Sequence, residues 1–311
     1  MPDDAVLREA LNLWAPTAGG QPSLINLSEN ATYRVEASQG AVILRVHRQG
    51  YQTDAAIESE LDWLAALDGV LPVPRVIAGR DGARVQVLSS GQRAVAFAPI
   101  AGVEPAETGE LGGLFRTLGA YAATLHRQVA AWQRPAGFVR PRLDAAALIG
   151  PDALWGDWRA APGVTGEMAD ALEALAAQLH EVLAAYGTGA DRFGLIHADM
   201  RLANLLVDGD AVALIDFDDC GFGWRMYDLA AGLSFIEMRP DLDALIAAWL
   251  EGYRTVAPLS AADVAIVKPM ILTRRLTLLA WIGSHGETPL AQRHAPDFAR
   301  DTAALAARLS P

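Results

Sequence analysis

Residues 197–219 read HADMRLANLLVDGDAVALIDFDD, and this stretch decides the fold. Its polar side chains come in a set order, His197, Asp199, Asn204 and Asp216. Between the last two, residues 205–215 (LLVDGDAVALI) predict a strand, a tight turn at Asp-Gly-Asp and a second strand. Because a hairpin brings its two ends back to one place, we expect side chains twelve positions apart to meet there.

The residue types in this stretch suit phosphoryl transfer from ATP. Carboxylate and amide oxygens are hard ligands that Mg²⁺ prefers, so Asn204 and Asp216 are predicted to bind magnesium. Asp199 is predicted to orient the acceptor hydroxyl and to accept its proton. The catalytic loop of protein kinases has the same order, H-R-D, four residues, N, and then D-F-G. Asp218 and Asp219 are left open between local hydrogen bonds and a second ion.

Two arginines are candidates for phosphate contacts. Arg201 follows Asp199 by two positions, and its planar fork suits phosphate oxygens, although an ion pair within the loop is an equal alternative. Arg45 lies in the predicted strand AVILRVH, where kinases keep a lysine paired to a helix glutamate. The only lysine of the chain is Lys268, so Arg45 takes this role, with Glu60 as the preferred partner over Glu58.

Two further positions complete the predicted nucleotide site. Asn30 ends the turn Ser28-Glu29-Asn30, which we expect to lie over the triphosphate even though it lacks the G-x-G-x-x-G fingerprint. Ala98 begins the connector APIAG, from which the backbone is predicted to contact the nucleotide. His197 is predicted to be structural, and Asp228 is predicted to cap a helix and to support the catalytic loop.

Composition narrows the class of protein. The 311 residues carry a net charge of −12, so no basic surplus exists for nucleic-acid binding, while a cationic substrate remains compatible. No apolar run is long enough to span a bilayer, and the acidic start MPDDAVLREA is not a signal peptide. The single Cys220 excludes an internal disulfide and is typical of a reducing compartment. We therefore expect a cytoplasmic protein, monomeric or homodimeric, without membrane or nucleic-acid partners.

The pattern of elements changes once along the chain. Residues 1–97 predict a small antiparallel sheet with one prominent amphipathic helix at 53–67, capped by Thr53. Residues 98–102 are predicted to form a hinge, and 103–311 are predicted to form a larger, mainly helical lobe. Residues 133–163, rich in proline, arginine and tryptophan, are expected to be irregular. The prediction is an α+β fold of two lobes, with the nucleotide between them.

The segments HADMRLANLLV and IDFDDCGFGWRMYDLA resemble the aminoglycoside phosphotransferase-like kinase superfamily, close to homoserine kinase type II and to stress-response serine/threonine kinases. The resemblance extends almost from end to end. It implies a protein-kinase-like fold, ATP and Mg²⁺ as cofactors, and transfer of the γ-phosphoryl group to a hydroxyl. Arg45 departs from the lysine that many relatives carry at that position.

Three functions stay open at this stage. The first is a kinase for a small-molecule acceptor, such as an aminoglycoside, homoserine or another metabolite. The second is a protein serine/threonine kinase, which is disfavoured because the chain from DFDDCGFGW to YDLA leaves no room for an activation loop. The third is a pseudokinase or regulatory module, which is disfavoured because Asp199, Asn204 and Asp216 are all present. Candidates for the acceptor pocket are Trp155, Trp158, Tyr253, Arg275 and Trp281.

Overall fold

The computed structural model describes residues 3–27, 30–38 and 40–309, and the chain forms two units. The first unit comprises Met1–Val103, Trp132–Arg140 and Leu205–Asp218. The second comprises Glu104–Ala131, Pro141–Asn204 and Asp219–Pro311. The predicted turn residues Ser28, Glu29 and Gln39 lie outside the described residues. The lobe boundaries taken from the sequence stay a prediction.

The elements of both units follow one another along the chain. The helices are α1 Asp4–Leu13, α2 Asp54–Leu67, α3 Gly112–Ala131, α4 Ala145–Ile149, α5 Glu167–Tyr186, α6 Tyr227–Gly232, α7 Leu242–Arg254, α8 Ala261–Ala265, α9 Val267–Ser284, α10 Pro289–His294 and α11 Phe298–Leu309. The strands are β1 Gln21–Leu27, β2 Asn30–Ala37, β3 Gly40–His47, β4 Val76–Ile77, β5 Gln86–Val87, β6 Arg93–Phe97, β7 Arg142–Leu143, β8 Phe193–Ile196, β9 Leu205–Asp208, β10 Ala211–Leu214 and β11 Gly221–Trp224.

The first unit is built on an antiparallel sheet in the order β1-β2-β3-β6-β4, with β5 paired to β6. Helix α1 covers part of this sheet, because its Val6 and Ala10, together with Trp14, share one apolar core with the inward residues of β2 and β3. The indole of Trp14 donates to the carbonyl oxygen of Ile77 at 2.8 Å, so its polar atom is satisfied inside the core.

Two local predictions in this unit are confirmed. Helix α2 begins where the sequence indicated, because the Thr53 hydroxyl accepts a hydrogen bond from the Ala56 N–H at 3.2 Å. The hairpin β9–β10 also forms, with Leu205 opposite Leu214 and Gly209 at a φ of 58° in the turn. Asn204 therefore directly precedes the residues that the hairpin pairs, and Asp216 follows them by two positions.

The second unit is mainly helical. Helices α3 and α7 pack at close range through Gly119 and Gly252, where an added Cβ would collide with backbone carbonyl oxygens of Trp249 and Arg116. Helix α9 is buried along most of its length and contacts α4, α5, α6 and α11. A small sheet in the order β7-β11-β8 completes the unit. The α+β fold with a sheet-rich and a helix-rich part is confirmed.

The segment 133–163 is more ordered than the sequence indicated. Residues 142–143 form β7, which pairs with β11 in parallel, and 145–149 form α4, capped by the Asp144 carboxylate. Strand β11 was not predicted at all, since glycine disfavours strands when propensity alone is considered. Over the ranges that the structure describes, none of the helices combines the length and apolar character that crossing a bilayer needs.

Candidate active site

The loop after β8 carries the first half of the predicted site and is tied down by Asp228. The Asp228 carboxylate accepts hydrogen bonds from the backbone N–H of Ala198 at 2.7 Å and of His197 at 3.3 Å. It also contacts the imidazole Nε2 of His126 at 3.0 Å, and all of these groups are buried. The predicted support of the loop is therefore present. The predicted helix cap is wrong, because α6 begins without a side-chain cap bond.

The backbone of this loop is held in an uncommon conformation. Ala198 has a φ of 68°, in the left-handed region that non-glycine residues seldom adopt. His197 supports the turn, since its ring Nδ1 accepts the N–H of Asp199 at 3.2 Å and its side chain is buried. This agrees with the structural role expected for His197. Strained backbone of this kind is concentrated at sites that position a functional side chain.

The side chain of Asp199 is surrounded by hydrogen-bond donors. Arg274 donates to its Oδ1, the amide of Asn204 donates to its Oδ2 at 2.7 Å, and Arg201 donates to the same oxygen at 3.2 Å. Burial alone would raise the pKa of Asp199, but the charges of Arg274 and Arg201 outweigh burial and lower the pKa. Asp199 is therefore an ionised carboxylate with a fixed orientation at neutral pH.

Asn204 is oriented by the same loop. Its amide nitrogen donates to the backbone carbonyl oxygen of Asp199 at 2.9 Å as well as to the carboxylate. With the nitrogen used in this way, the amide oxygen is the atom that can act as a metal ligand. Arg201 forms the ion pair within the loop that the sequence left as an alternative, and its contact with phosphate stays a prediction.

Sequence reasoning missed Arg274, which lies in α9. Its guanidinium is buried and also donates to the Ser234 hydroxyl at 2.9 Å and, at 3.4 Å, to the Tyr227 hydroxyl. A signal was available, because two consecutive arginines interrupt the apolar run of the helix. A buried arginine needs an anionic partner, and the nearest candidates were the carboxylates of the 197–219 stretch.

In the first unit, Arg45 joins two of the other predicted residues. Its Nη2 lies 2.6 Å from both carboxylate oxygens of Glu60, and its Nη1 lies 3.2 Å from Oδ1 of Asp216. Glu58, the second candidate partner, instead pairs with Arg84. Burial alone would lower the pKa of Arg45, but the nearby carboxylates outweigh burial and raise the pKa. The pairing follows the expectation, and the phosphate contact stays a prediction.

The residues after β10 differ in exposure and in partners. Asp216 has a φ of 63°, and 42% of its side chain is exposed, which leaves it accessible to a ligand. Asp218 is buried, accepts a hydrogen bond from the Asn30 amide at 2.8 Å, and its backbone oxygen accepts from Arg140. Asn30 therefore holds one oxygen of Asp218, while the Oδ1 of Asp218 is buried without a hydrogen-bond partner among the described residues, so both alternatives for Asp218 stay open.

The hinge residue Ala98 and the candidates for the acceptor pocket differ in what they expose. The backbone N–H of Ala98 donates to the carbonyl oxygen of Arg75 at 2.8 Å, so only the Ala98 carbonyl is left for a nucleotide. Trp155 and Trp281 are partly exposed. Trp158, Tyr253 and Arg275 are buried, which makes them part of the packed interior.

Several known proteins resemble this chain in sequence and in structure. The model of the phosphotransferase enzyme family matches residues 24–263. A homoserine kinase of Pseudomonas aeruginosa is 32% identical over 218 residues, which are 67% of this chain and 61% of that protein, less than two thirds of its length. The solved structure of a microcompartment-associated aminopropanol kinase is 43% identical, with a TM-score of 0.91 over 98% of this chain and 97% of that one. The amicoumacin kinase hAmiN, solved with AMP-PNP, Ca²⁺ and Ami, is 18% identical and shares the fold, with a TM-score of 0.78 over 98% and 94% of the chains.

Proposed function

Because the chain belongs to the phosphotransferase enzyme family and is a small-molecule kinase, we propose that it transfers the γ-phosphoryl group of ATP to the hydroxyl of an amino alcohol. The observation that carries the proposal is the Asp199 carboxylate, which is buried, ionised and held by Arg274 and Asn204. An ionised carboxylate of fixed direction is what an acceptor hydroxyl needs for in-line attack on phosphorus.

The class of acceptor is supported by the relatives. Aminopropanol and homoserine, the compounds in the names of the two kinases at 43% and 32% identity, both combine an ammonium group with a hydroxyl. The net charge of −12 favours the approach of a cationic acceptor over that of an anionic one. An amino alcohol is therefore the acceptor that both observations support.

The residues present fit a nucleotide with a magnesium ion. The amide oxygen of Asn204 and the accessible carboxylate of Asp216 are the hard oxygen donors that Mg²⁺ prefers, and we propose them as its ligands. When bound, the ion supplies positive charge beside the phosphate oxygens. Arg45 is proposed to bind the phosphates of ATP, and Glu60 is proposed to hold its guanidinium in place.

The proposed reaction forms a bond between the acceptor oxygen and the γ-phosphorus and breaks the bond to the oxygen shared with the β-phosphate, which leaves ADP. Asp199 accepts a hydrogen bond from the acceptor hydroxyl and then its proton as the new bond forms. Its lowered pKa makes it a weak base, so this proton moves late, as a loose transition state allows. Arg201 is proposed to offset charge on the transferred group.

A panel of acceptors tests the proposal. We expect the purified protein with ATP and Mg²⁺ to phosphorylate 1-amino-2-propanol, ethanolamine or homoserine, detected as ADP release and as product mass. Turnover of an aminoglycoside or a protein substrate, with none for any amino alcohol, would overturn the assignment of the acceptor. Failure to bind ATP would overturn the whole proposal and favour a regulatory module.

A further inference from the structure

Glu237 is a buried carboxylate for which the reaction so far gives no use. Only 1% of its side chain is exposed, and its Oε2 accepts a hydrogen bond from Arg275 at 3.2 Å. Within the part of the chain that the structure describes, its Oε1 is buried and has no hydrogen-bond partner. Burial raises the pKa of Glu237, although the charge of Arg275 opposes this. A buried carboxylate oxygen without a donor is costly, so the Oε1 needs a donor from outside the described side chains.

Arg275 contacts the Oε2 of Glu237 through its Nη1. Its Nε donates to the Thr302 hydroxyl at 3.1 Å and its Nη2 to the Phe298 carbonyl oxygen at 3.0 Å. Its guanidinium also lies over the Phe298 ring, 3.5 Å from the centroid. Since these contacts fix the guanidinium, the Oε1 of Glu237 is left to a donor from elsewhere.

A second buried polar atom lies on His294, whose ring centroid is 6.2 Å from that of the same Phe298 ring that Arg275 covers. Nε2 of His294 is buried and has no partner among the described residues, and the imidazole lies against the Phe235 ring with 4.5 Å between centroids. Burial lowers the pKa of His294, so the imidazole is neutral and one of its nitrogens can accept a hydrogen bond. A carboxylate, a neutral imidazole and an aromatic face are groups that suit an ammonium ion.

The turn that carries Glu237 also holds the catalytic loop. Ser234 accepts the hydrogen bond from Arg274, and Arg274 donates to Asp199. The next residue, Phe235, has a φ of 70°, a left-handed backbone conformation that aromatic residues rarely adopt. Residues 234–237 therefore hold Asp199 through Arg274 at one end and present Glu237 at the other. A group bound at Glu237 takes its position from the turn that also positions Asp199.

We propose that Glu237 binds the ammonium group of the acceptor and that His294 and Phe235 complete this subsite. The inference rests on the proposed function, since it assigns the residues that recognise the amine of the same substrate. An ammonium has three donors, which satisfies the Oε1 of Glu237 and leaves donors for the imidazole. Glu237 is thus a specificity residue, and Arg275 is the residue that positions it.

The test compares an amino alcohol with its neutral counterpart. For the wild type, kcat/KM is measured with 1-amino-2-propanol and with 1,2-propanediol, and then for Glu237→Gln, which keeps the size of the side chain and removes its charge. We expect Glu237→Gln to lose about 10- to 100-fold in kcat/KM for the amine, mainly through KM, because a hydrogen bond to a charged group is lost. The activity on the diol is expected to stay within about twofold.

A matched control and an inhibition measurement complete the design. Thr302→Ser keeps the hydroxyl that accepts from Arg275 and removes a buried methyl group, and we expect it to lower the melting temperature without changing the ratio of amine to diol. Propylammonium, which has no hydroxyl, is expected to compete with the acceptor in the wild type and not in Glu237→Gln. If Glu237→Gln does not fold, His294→Phe takes its place, with the same loss for the amine expected.

The outcomes separate the two proposals. If the wild type phosphorylates amino alcohols and neither Glu237→Gln nor His294→Phe changes the ratio of amine to diol, the ammonium subsite is wrong and the kinase activity stands. If the wild type phosphorylates no amino alcohol, the proposed acceptor and the subsite are both wrong.

Discussion

At the scale of single residues, the chemistry depends on the charge of Asp199. Replacing it with asparagine keeps the size of the side chain, but it leaves Arg274 and Arg201 without their carboxylate. We expect kcat of Asp199→Asn to fall by about 10²- to 10⁴-fold, the usual contribution of a general base. Asp210→Asn, in the exposed turn of the hairpin, serves as the control and keeps wild-type kcat. Equal kcat for Asp199→Asn and the wild type in the amino-alcohol assay would contradict the assignment.

Variants of the ion pair between Arg45 and Glu60 allow its contribution to stability to be measured separately from its contribution to nucleotide binding. In Arg45→Met, Glu60 is left as a buried carboxylate without its partner, and we expect the free energy of unfolding to fall by about 3–5 kcal/mol. The double variant Arg45→Met with Glu60→Gln is expected to recover much of this loss, as measured by urea unfolding.

The KM for ATP is expected to rise in both Arg45 variants, because neither has the guanidinium. If the double variant kept the wild-type KM for ATP, Arg45 would have no part in phosphate binding.

His47 makes stability depend on pH. Burial lowers its pKa to about 3, and neither ring nitrogen has a hydrogen-bond partner among the described residues. Below the ordinary pKa of 6.5, the unfolded chain binds a proton that the folded state rejects, so stability is lost as the pH falls towards 3. Between pH 7 and 5 the loss amounts to about 2 kcal/mol.

We expect the free energy of unfolding of His47→Gln to fall less than that of the wild type as the pH is lowered, because the contribution of His47 is absent. The measurement is urea unfolding of both proteins at pH 7 and pH 5. Because both proteins carry the same carboxylates, the contribution of those groups to the pH dependence is equal and drops out of the difference. An equal loss of stability in the two proteins would show that His47 is protonated in the folded state.

At the scale of elements, the contact between α3 and α7 depends on two glycines. A Cβ at Gly119 would collide with the backbone of α7, and backbone cannot move aside as the end of a flexible side chain can. We expect Gly119→Ala to lower the free energy of unfolding by about 1–3 kcal/mol or more. Gly113→Ala in the same helix meets no atom within 4 Å, and alanine favours helix, so this control is expected to be neutral or stabilising. The reverse order of the two variants would contradict the close packing.

At the scale of the whole molecule, a bound ligand stabilises the fold by mass action. With a nucleotide analogue at about 100 times its Kd, we expect roughly 2.7 kcal/mol of stabilisation, seen as a rise in melting temperature. With AMP-PNP, the rise should depend on Mg²⁺ and disappear with EDTA. Asp216→Asn should abolish the part that depends on magnesium, whereas Asp210→Asn should keep it. A rise that EDTA does not affect would contradict Asn204 and Asp216 as ligands.

The sequence could predict the elements that depend on local signals. Thr53 caps α2 and the Asp-Gly turn closes the hairpin because both effects act within a few residues. Strand β11 escaped prediction because its glycines are selected by tertiary packing, since a Cβ at Gly221 would meet the Pro141 carbonyl oxygen. The inclusion of Trp132–Arg140 in the first unit depends on contacts far apart in sequence, which no local pattern reports.

The residues of the candidate site also divide into those that local sequence predicts and those that depend on tertiary structure. Asp199, Asn204 and Asp216 follow from spacing within one segment, and the partner of Arg45 follows from the adjacent helix. Arg274 and Glu237 reach their positions through α9 and through a left-handed turn at Phe235, and both depend on tertiary structure. The sequence signal for the positions of Arg274 and Glu237 was the pair of consecutive arginines inside an apolar helix.

The composition of the first unit has a consequence for synthesis on the ribosome. The unit takes in Leu205–Asp218, so a nascent chain that has emerged only to residue 103 lacks the hairpin and the Asp216 that pairs with Arg45. At about 5–20 residues per second, translation of residues 104–218 takes roughly 6–23 s. During that interval the sheet formed by the early residues lacks the segment Leu205–Asp218. We expect a chain released at residue 103 to depend on chaperones.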